Sequence, residues 1–312
     1  MSVAFRTIVL TLAWFACMNA ISSAAVAWLV HAFRHRRPRS RPSVLLGIRL
    51  VPSVVSLLFV GALFLPAQWA WEPRDADETL GFALRGVAAL GAAVLLRGVW
   101  RVVVTAWATH RVNAGIPSYR RAAPNTYLVD GLSGVSLAGI VRPRILIGRD
   151  VKAQLSCAEL EVAVAHEVAH RDAFDNLARW CMRCAPDFLT GSRVAARLEH
   201  AWHVAAESRA DARAIRGNRA RAVDLASALI KVARLSAATT GQVSVPFWST
   251  LNDCELLEWR VQRLLNGSVP PIPSLPRVGL VAATLVLSVL IVVPIVAGPV
   301  HRLTETLIAL LP

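Results

Sequence analysis

"AVAHEVAHRDAFDN", from Ala163 to Asn176, decides how this chain is read. It sets His166, Glu167 and His170 in the pattern H-E-x-x-H. On a helix, residues i and i+4 share a face, so both imidazoles can turn toward one metal ion. Glu167 then stands one residue on, close enough to orient a water at an open coordination position. Two neutral nitrogen donors and an adjacent base are what metal-assisted hydrolysis needs. Three fixed residues also recur by chance, so the pattern requires a third donor and a fitting context.

The flanking sequence predicts the helix. Ser156-Cys157-Ala158-Glu159 is an S-x-x-E capping box ahead of an apolar run. One helix is expected from there through "ELEVAVAHEVAHRDAFDNLARWCMRC", ending at Pro186. A second runs roughly from Arg193 to Ile215 and a third from Ala220 to Ser236. "CELLEWRVQRLLNG" is a short amphipathic helix closed by Gly267. Upstream, "NTYLV", "GVSLAG" and "PRILIG" are strand-like runs split by turns at Gly131 and Gly134. On the second helix, Glu199, His203, Glu207 and Asp211 recur every four residues. That polar stripe is either a solvated face or the source of the missing donor.

Further outward the chain turns apolar. Of 312 residues, 55% are hydrophobic, and the mean hydropathy is +0.50. Few soluble domains reach that value, so membrane spans are expected. Residues 1–107 hold three, at about 3–30, 44–71 and 80–106, and residues 277–312 hold a fourth at about 278–298. Arg85, Arg97 and Arg101 interrupt the third, and Arg85 and Arg97 are near enough to its ends to snorkel. The first span is long for a signal peptide and no basic run precedes it. Residues 108–276 are the soluble part.

Loop charge orients the spans. The first loop carries Arg34, Arg36, Arg37, Arg39 and Arg41, and the second carries Glu72, Asp75, Asp77 and Glu78. Positive-inside puts the first loop and residues 108–276 in the cytoplasm, with both termini outside. The formal charge of +14 is then a topology signal, and no direct nucleic-acid partner is expected. Five scattered cysteines argue against a disulfide framework and fit a reducing compartment.

With H-E-x-x-H followed by Glu207-Ser208-Arg209-Ala210-Asp211, an E-x-x-x-D, the chain resembles the gluzincin-type membrane metallopeptidases. The resemblance implies Glu207 as third zinc ligand and Asp211 as the acid behind a ligand. An outer carboxylate fits the need of ligating imidazoles for a fixed tautomer. Two families share the pattern, the BlaR/MecR-type regulatory peptidases and the HtpX-type quality-control proteases. "HEVAHRDAFDNLAR", with Asp175 at the matching offset, and "GIVRPRILIG" look like the BlaR/MecR type. Three spans before the zinc domain and one after match its layout. The chain ends without that family's extracellular penicillin-binding sensor.

The resemblance implies an α-helical integral membrane protein of a bacterial inner membrane. Its cytoplasmic α+β zincin-like domain would pair a small sheet with the H-E-x-x-H helix. It would bind one Zn2+ and cleave a cytosolic, repressor-like regulator, and itself in one version of the scheme. The stimulus would come through the spans, the short outer loop or a sensor partner protein. The alternatives are quality-control proteolysis and a signalling scaffold with an idle zinc fold. Glu167 is the expected base. His203 is either an oxyanion donor or a buried structural histidine. The strand Pro143, Arg144, Ile145, Leu146, Ile147 is either a docking edge for an extended substrate or an ordinary buried strand.

Two further features carry bland readings. Cys181 and Cys184 form a lone C-x-x-C, expected to pack on a helix. Trp14, Trp28, Trp69 and Trp71 are expected as interfacial anchors.

Overall fold

Three helices are long and apolar enough to cross a membrane: Val3–Ala32, Pro42–Ala70 and Phe82–Arg111. The computed structural model describes residues 3–32, 41–71, 81–115, 120–238, 249–250 and 256–267, with a few positions between 299 and 306. The expected fourth span, Cys254, the arginines of the first loop other than Arg41, and the acidic residues of the second loop lie outside them.

Helix α1 (Val3–Ala32) packs against α2 (Pro42–Leu58) and α4 (Phe82–Gly115). Proline in the first turn starts α2, where its missing N–H costs nothing. A π-helical turn, Phe59–Phe64, joins α2 to α3 (Leu65–Trp71). Pro66 follows one residue after that turn. Its ring and absent N–H disturb the bond to residue 62, and the widened turn absorbs the defect. Helices α1 and α4 touch at Gly91, where a Cβ would stand 2.2 Å from the Leu12 carbonyl oxygen. Any larger residue there would push the two helices apart. Trp14 is not an interfacial anchor. It is 7% exposed and packs on Phe59 with ring centroids 5.1 Å apart. Trp28 and Trp69 do face outward.

After these helices comes a five-stranded sheet in the order β1-β2-β4-β3-β5. Its strands are β1 (Arg120–Ala123), β2 (Thr126–Val129), β3 (Val135–Ala138), β4 (Arg144–Gly148) and β5 (Ser249–Thr250). Strands β2 and β4 are parallel, and the other pairs are antiparallel. Alternation sorts the side chains. Val135, Leu137, Ile145 and Ile147 join the main core, and Ala138 and Leu146 join a smaller cluster with Val129. The main core lies between the sheet and helices α5 (Arg149–Gln154), α6 (Cys157–Asp172) and α9 (Arg219–Ala238), through Val151, Val162, Ala163, Leu225, Leu229 and Val232.

Ser156 and Glu159 form the expected capping box at the start of α6. The single long helix to Pro186 does not form. Phe174 takes a left-handed φ of 56°, and the chain restarts as α7 (Asp175–Cys184). Tertiary bonds favour the break. It swings Asp175 back beneath His170, and Asn176 donates to the Leu137 and Gly139 carbonyls at 2.9 and 2.8 Å. Helix α8 (Arg193–Ile215) starts on the Ser192 hydroxyl, which accepts from the Ala195 N–H. Helix α10 (Leu257–Leu265) packs on α9.

The helices α7 and α8 rest on the spans. Val26 and Leu45 share a cluster with Met182, Leu189, Leu198 and Trp202. Arg49 of α2, fully buried, donates to Asp187 at 2.8 Å, to Glu199 at 3.1 Å, to the Met182 carbonyl and to Thr190. Asn19 of α1 bonds the Pro186 carbonyl and the Phe188 N–H. Arg97 does not snorkel. It turns inward and donates to the Asp187 carbonyl, as Arg101 does to the Arg183 carbonyl. Gly98 admits this loop, since a Cβ there would meet Pro186 Cβ at 2.9 Å.

Candidate metal centre

Helix α6 places His166 and His170 one turn apart on its inner face, and α8 crosses it with Glu207. His166, His170 and Glu207 converge as a buried group that could hold a metal ion. The two Nε2 atoms are 3.0 Å apart, and each lies 3.3 Å from an oxygen of Glu207. A tetrahedral ion with bonds of about 2.0–2.1 Å sets its donors about 3.3 Å apart. The three groups are already at that spacing.

Their chemistry agrees with the spacing. His170 Nδ1 is 2.7 Å from Asp175 Oδ2, which makes Nδ1 an N–H donor and turns Nε2 inward. Asp175 is held in turn by Arg209. His166 Nδ1 is 3.1 Å from Asp211 Oδ1, an ion-pair distance somewhat off the hydrogen-bond line. Both Nε2 atoms thus face the point that the Glu207 carboxylate faces, and Arg260 Nη2 approaches His166 Nε2 at 3.4 Å. Glu167 is fully buried, and neither of its oxygens has a hydrogen-bond partner among the described residues.

The protonation equilibria report the same field. Burial alone would lower His170, but Glu207 and then Asp175 outweigh it and raise it to about 10. Burial pushes the Glu167 carboxyl up to about 7. Burial would raise Asp211 as well, yet Arg260 and His166 hold it down at about 2.

His203 lies 3.9 Å from Glu207 and 3.4 Å from Arg179, beside the centre but not in it. The strand Pro143, Arg144, Ile145, Leu146, Ile147 is not a free edge. From Arg144 on it is β4, paired by β2 on one side and β3 on the other, so it cannot accept a substrate strand. Pro143 and Arg144 instead line an open groove of about 780 Å³ with Arg171 and Phe174. Cys184 is buried within 3.8 Å of Thr105, and burial raises both thiols of the C-x-x-C, which favours packing over thiol chemistry.

Sequence reading missed Arg260. It is 1% exposed, forks onto Asp211 and lies 2.9 Å from Glu207. Its signal was present, because Leu256, Arg260 and Leu264 recur every four residues and put a charge on the apolar seam of α10. Arg49, inside an apolar span, carried a similar signal.

No family model matches the chain, and no curated protein is significantly similar to it.

Proposed function

We propose that this chain is a membrane-embedded zinc metallopeptidase in which His166, His170 and Glu207 hold the metal. The observation that carries the reading is the convergence of two imidazole nitrogens and one carboxylate at close to tetrahedral spacing, beside an unpartnered glutamate. Two histidines and one glutamate are a common ligand set for catalytic zinc. Bound there, the ion would acidify a water and polarise a scissile carbonyl. Glu167 supplies the base. A carboxyl pushed up to about 7 accepts a proton at neutral pH and returns it to the leaving amine. Asp175, bonded to His170 Nδ1, favours the tautomer that ligates, and Asp211 stands at ion-pair distance from His166 Nδ1.

His166, Glu167, His170 and Glu207 are each at most 2% exposed. A peptide therefore reaches Glu167 only when a covering element moves, which suits a protease under control. Together with the resemblance of "HEVAHRDAFDN" to the BlaR/MecR type, this favours a cytosolic regulatory protein as substrate over general turnover of damaged proteins. The signal would arrive through the spans or a sensor partner.

The test is the metal content of the detergent-purified chain. Wild type and Glu167→Ala should each hold about one zinc, and Glu207→Ala should lose it. A wild type without zinc, or a Glu207→Ala that keeps it, removes the ligand set.

A further inference from the structure

Two arginine–carboxylate–imidazole chains converge on the metal centre. One runs from Arg209 through Asp175 to His170. The other runs from Arg260 through Asp211 to His166. They differ in one respect. Arg260 also reaches a ligand directly, with Nη1 2.9 Å from Glu207 Oε2.

We propose that Arg260 is the positioning residue of this centre, aligning Glu207 directly and His166 through Asp211. The proposal rests on the metal-site reading given above. Its geometry is specific to arginine. Nε meets Asp211 Oδ2 at 3.2 Å and Nη2 meets Oδ1 at 2.6 Å, so the fork sets the plane of that carboxylate. A carboxylate fixed in plane 3.1 Å from His166 Nδ1 favours the proton there and Nε2, which Nη2 approaches at 3.4 Å, as the ligating nitrogen. Glu207 Oε2 lies at ion-pair distance from Nη1, off the hydrogen-bond line, and Oε1 is turned to His170 Nε2 at 3.3 Å. Arg260, Asp211 and Glu207 are 1–2% exposed, so bulk water does not replace a lost bond here. Arg260 itself is closed off from substrate. It lies on α10, an element that carries none of the ligands, so the alignment of the centre depends on how α10 is docked.

The experiment measures Co2+ and Zn2+ affinity, and the visible Co2+ spectrum, of the full chain in detergent. The variants are Arg260→Lys, Arg260→Met, Asp211→Asn and Asp211→Asn with Arg260→Lys. Arg260→Lys keeps the charge and loses the fork. It should weaken binding about 10–100-fold and shift the Co2+ bands, as loss of a partner behind a ligand does. In the Asp211→Asn background the same change should cost clearly less, because part of its route is already cut. Arg260→Lys with wild-type affinity and spectrum overturns the proposal, since charge alone would then suffice. So does full additivity with Asp211→Asn. If Arg260→Met fails to fold, Arg260→Lys carries the decision. A wild type that binds neither ion sinks the metal reading itself, a result distinct from any failure of Arg260.

Discussion

Two buried arginines anchor two polar clusters, and each faces a pair of carboxylates. Arg49 meets Asp187 and Glu199, and Arg260 meets Asp211 and Glu207. The Arg49 cluster is saturated. Asp187 also accepts from Ser53, from the Thr190 hydroxyl and from the Thr190 N–H, and Glu199 is 35% exposed to solvent. The Arg260 cluster has a surplus of acceptors. A Glu207 oxygen and both oxygens of Glu167 have no hydrogen-bond partner among the described residues, and the two Nε2 atoms lie beside them. Full satisfaction marks a structural joint. A consistent surplus of one kind marks a place for a ligand of the opposite kind.

The largest effect that sharpens the contrast is on catalysis. Glu167→Gln should cut the cleavage of a fluorogenic casein by about 10²–10⁴-fold with its zinc retained. A variant that cleaves like wild type would show that the surplus on Glu167 is not chemistry. Next comes the saturated cluster. Arg49→Met strands the buried Asp187 carboxylate and should cost about 3–5 kcal/mol, read from unfolding in detergent. Adding Asp187→Leu should restore much of that loss, because of the two carboxylates only Glu199 then remains, and it is 35% exposed to water. An Arg49→Met chain of unchanged stability would break the comparison.

The smallest effect belongs to the cap of α6. Burial would raise Glu159, but Lys231, Ser227 and the Ser156 N–H outweigh it and bring it to about 2 from an ordinary 4.5. Its contribution is therefore complete above about pH 4.5 and is lost as pH falls toward about 2. Glu159→Gln should cost about 1 kcal/mol at pH 7, and its deficit should shrink in acid across that window. A deficit that stays constant from pH 7 to pH 2 would separate the cap from the charge.

What sequence revealed was mostly local. The box at Ser156, the span of α8 and the pairing of His166 with His170 follow from spacing along one helix. What it missed depends on residues far apart in the chain. Nothing around Phe174 marks a helix end, and the break is favoured by bonds to residues 137 and 139. Strand β4 has the composition of an edge or a centre alike, and only pairing decides. Arg260 lies 94 residues from His166, and its charge on an apolar seam signalled a buried partner without saying which.

The grip of Arg49 on Glu199 has a mechanical side. From Glu199 to Glu207 is eight residues of unbroken helix, a rod about 12 Å long. One end is held by the second apolar helix and the other end presents a ligand. Hydrogen bonds of 2.8–3.1 Å leave little slack at the held end. A slide of α2 along its axis must either break that grip or carry the far end of the rod with it. Metal coordination tolerates displacements of only about 0.2 Å. The stretch before residue 108 is therefore a boundary in sequence alone, and the position of a span sets a dimension of the centre.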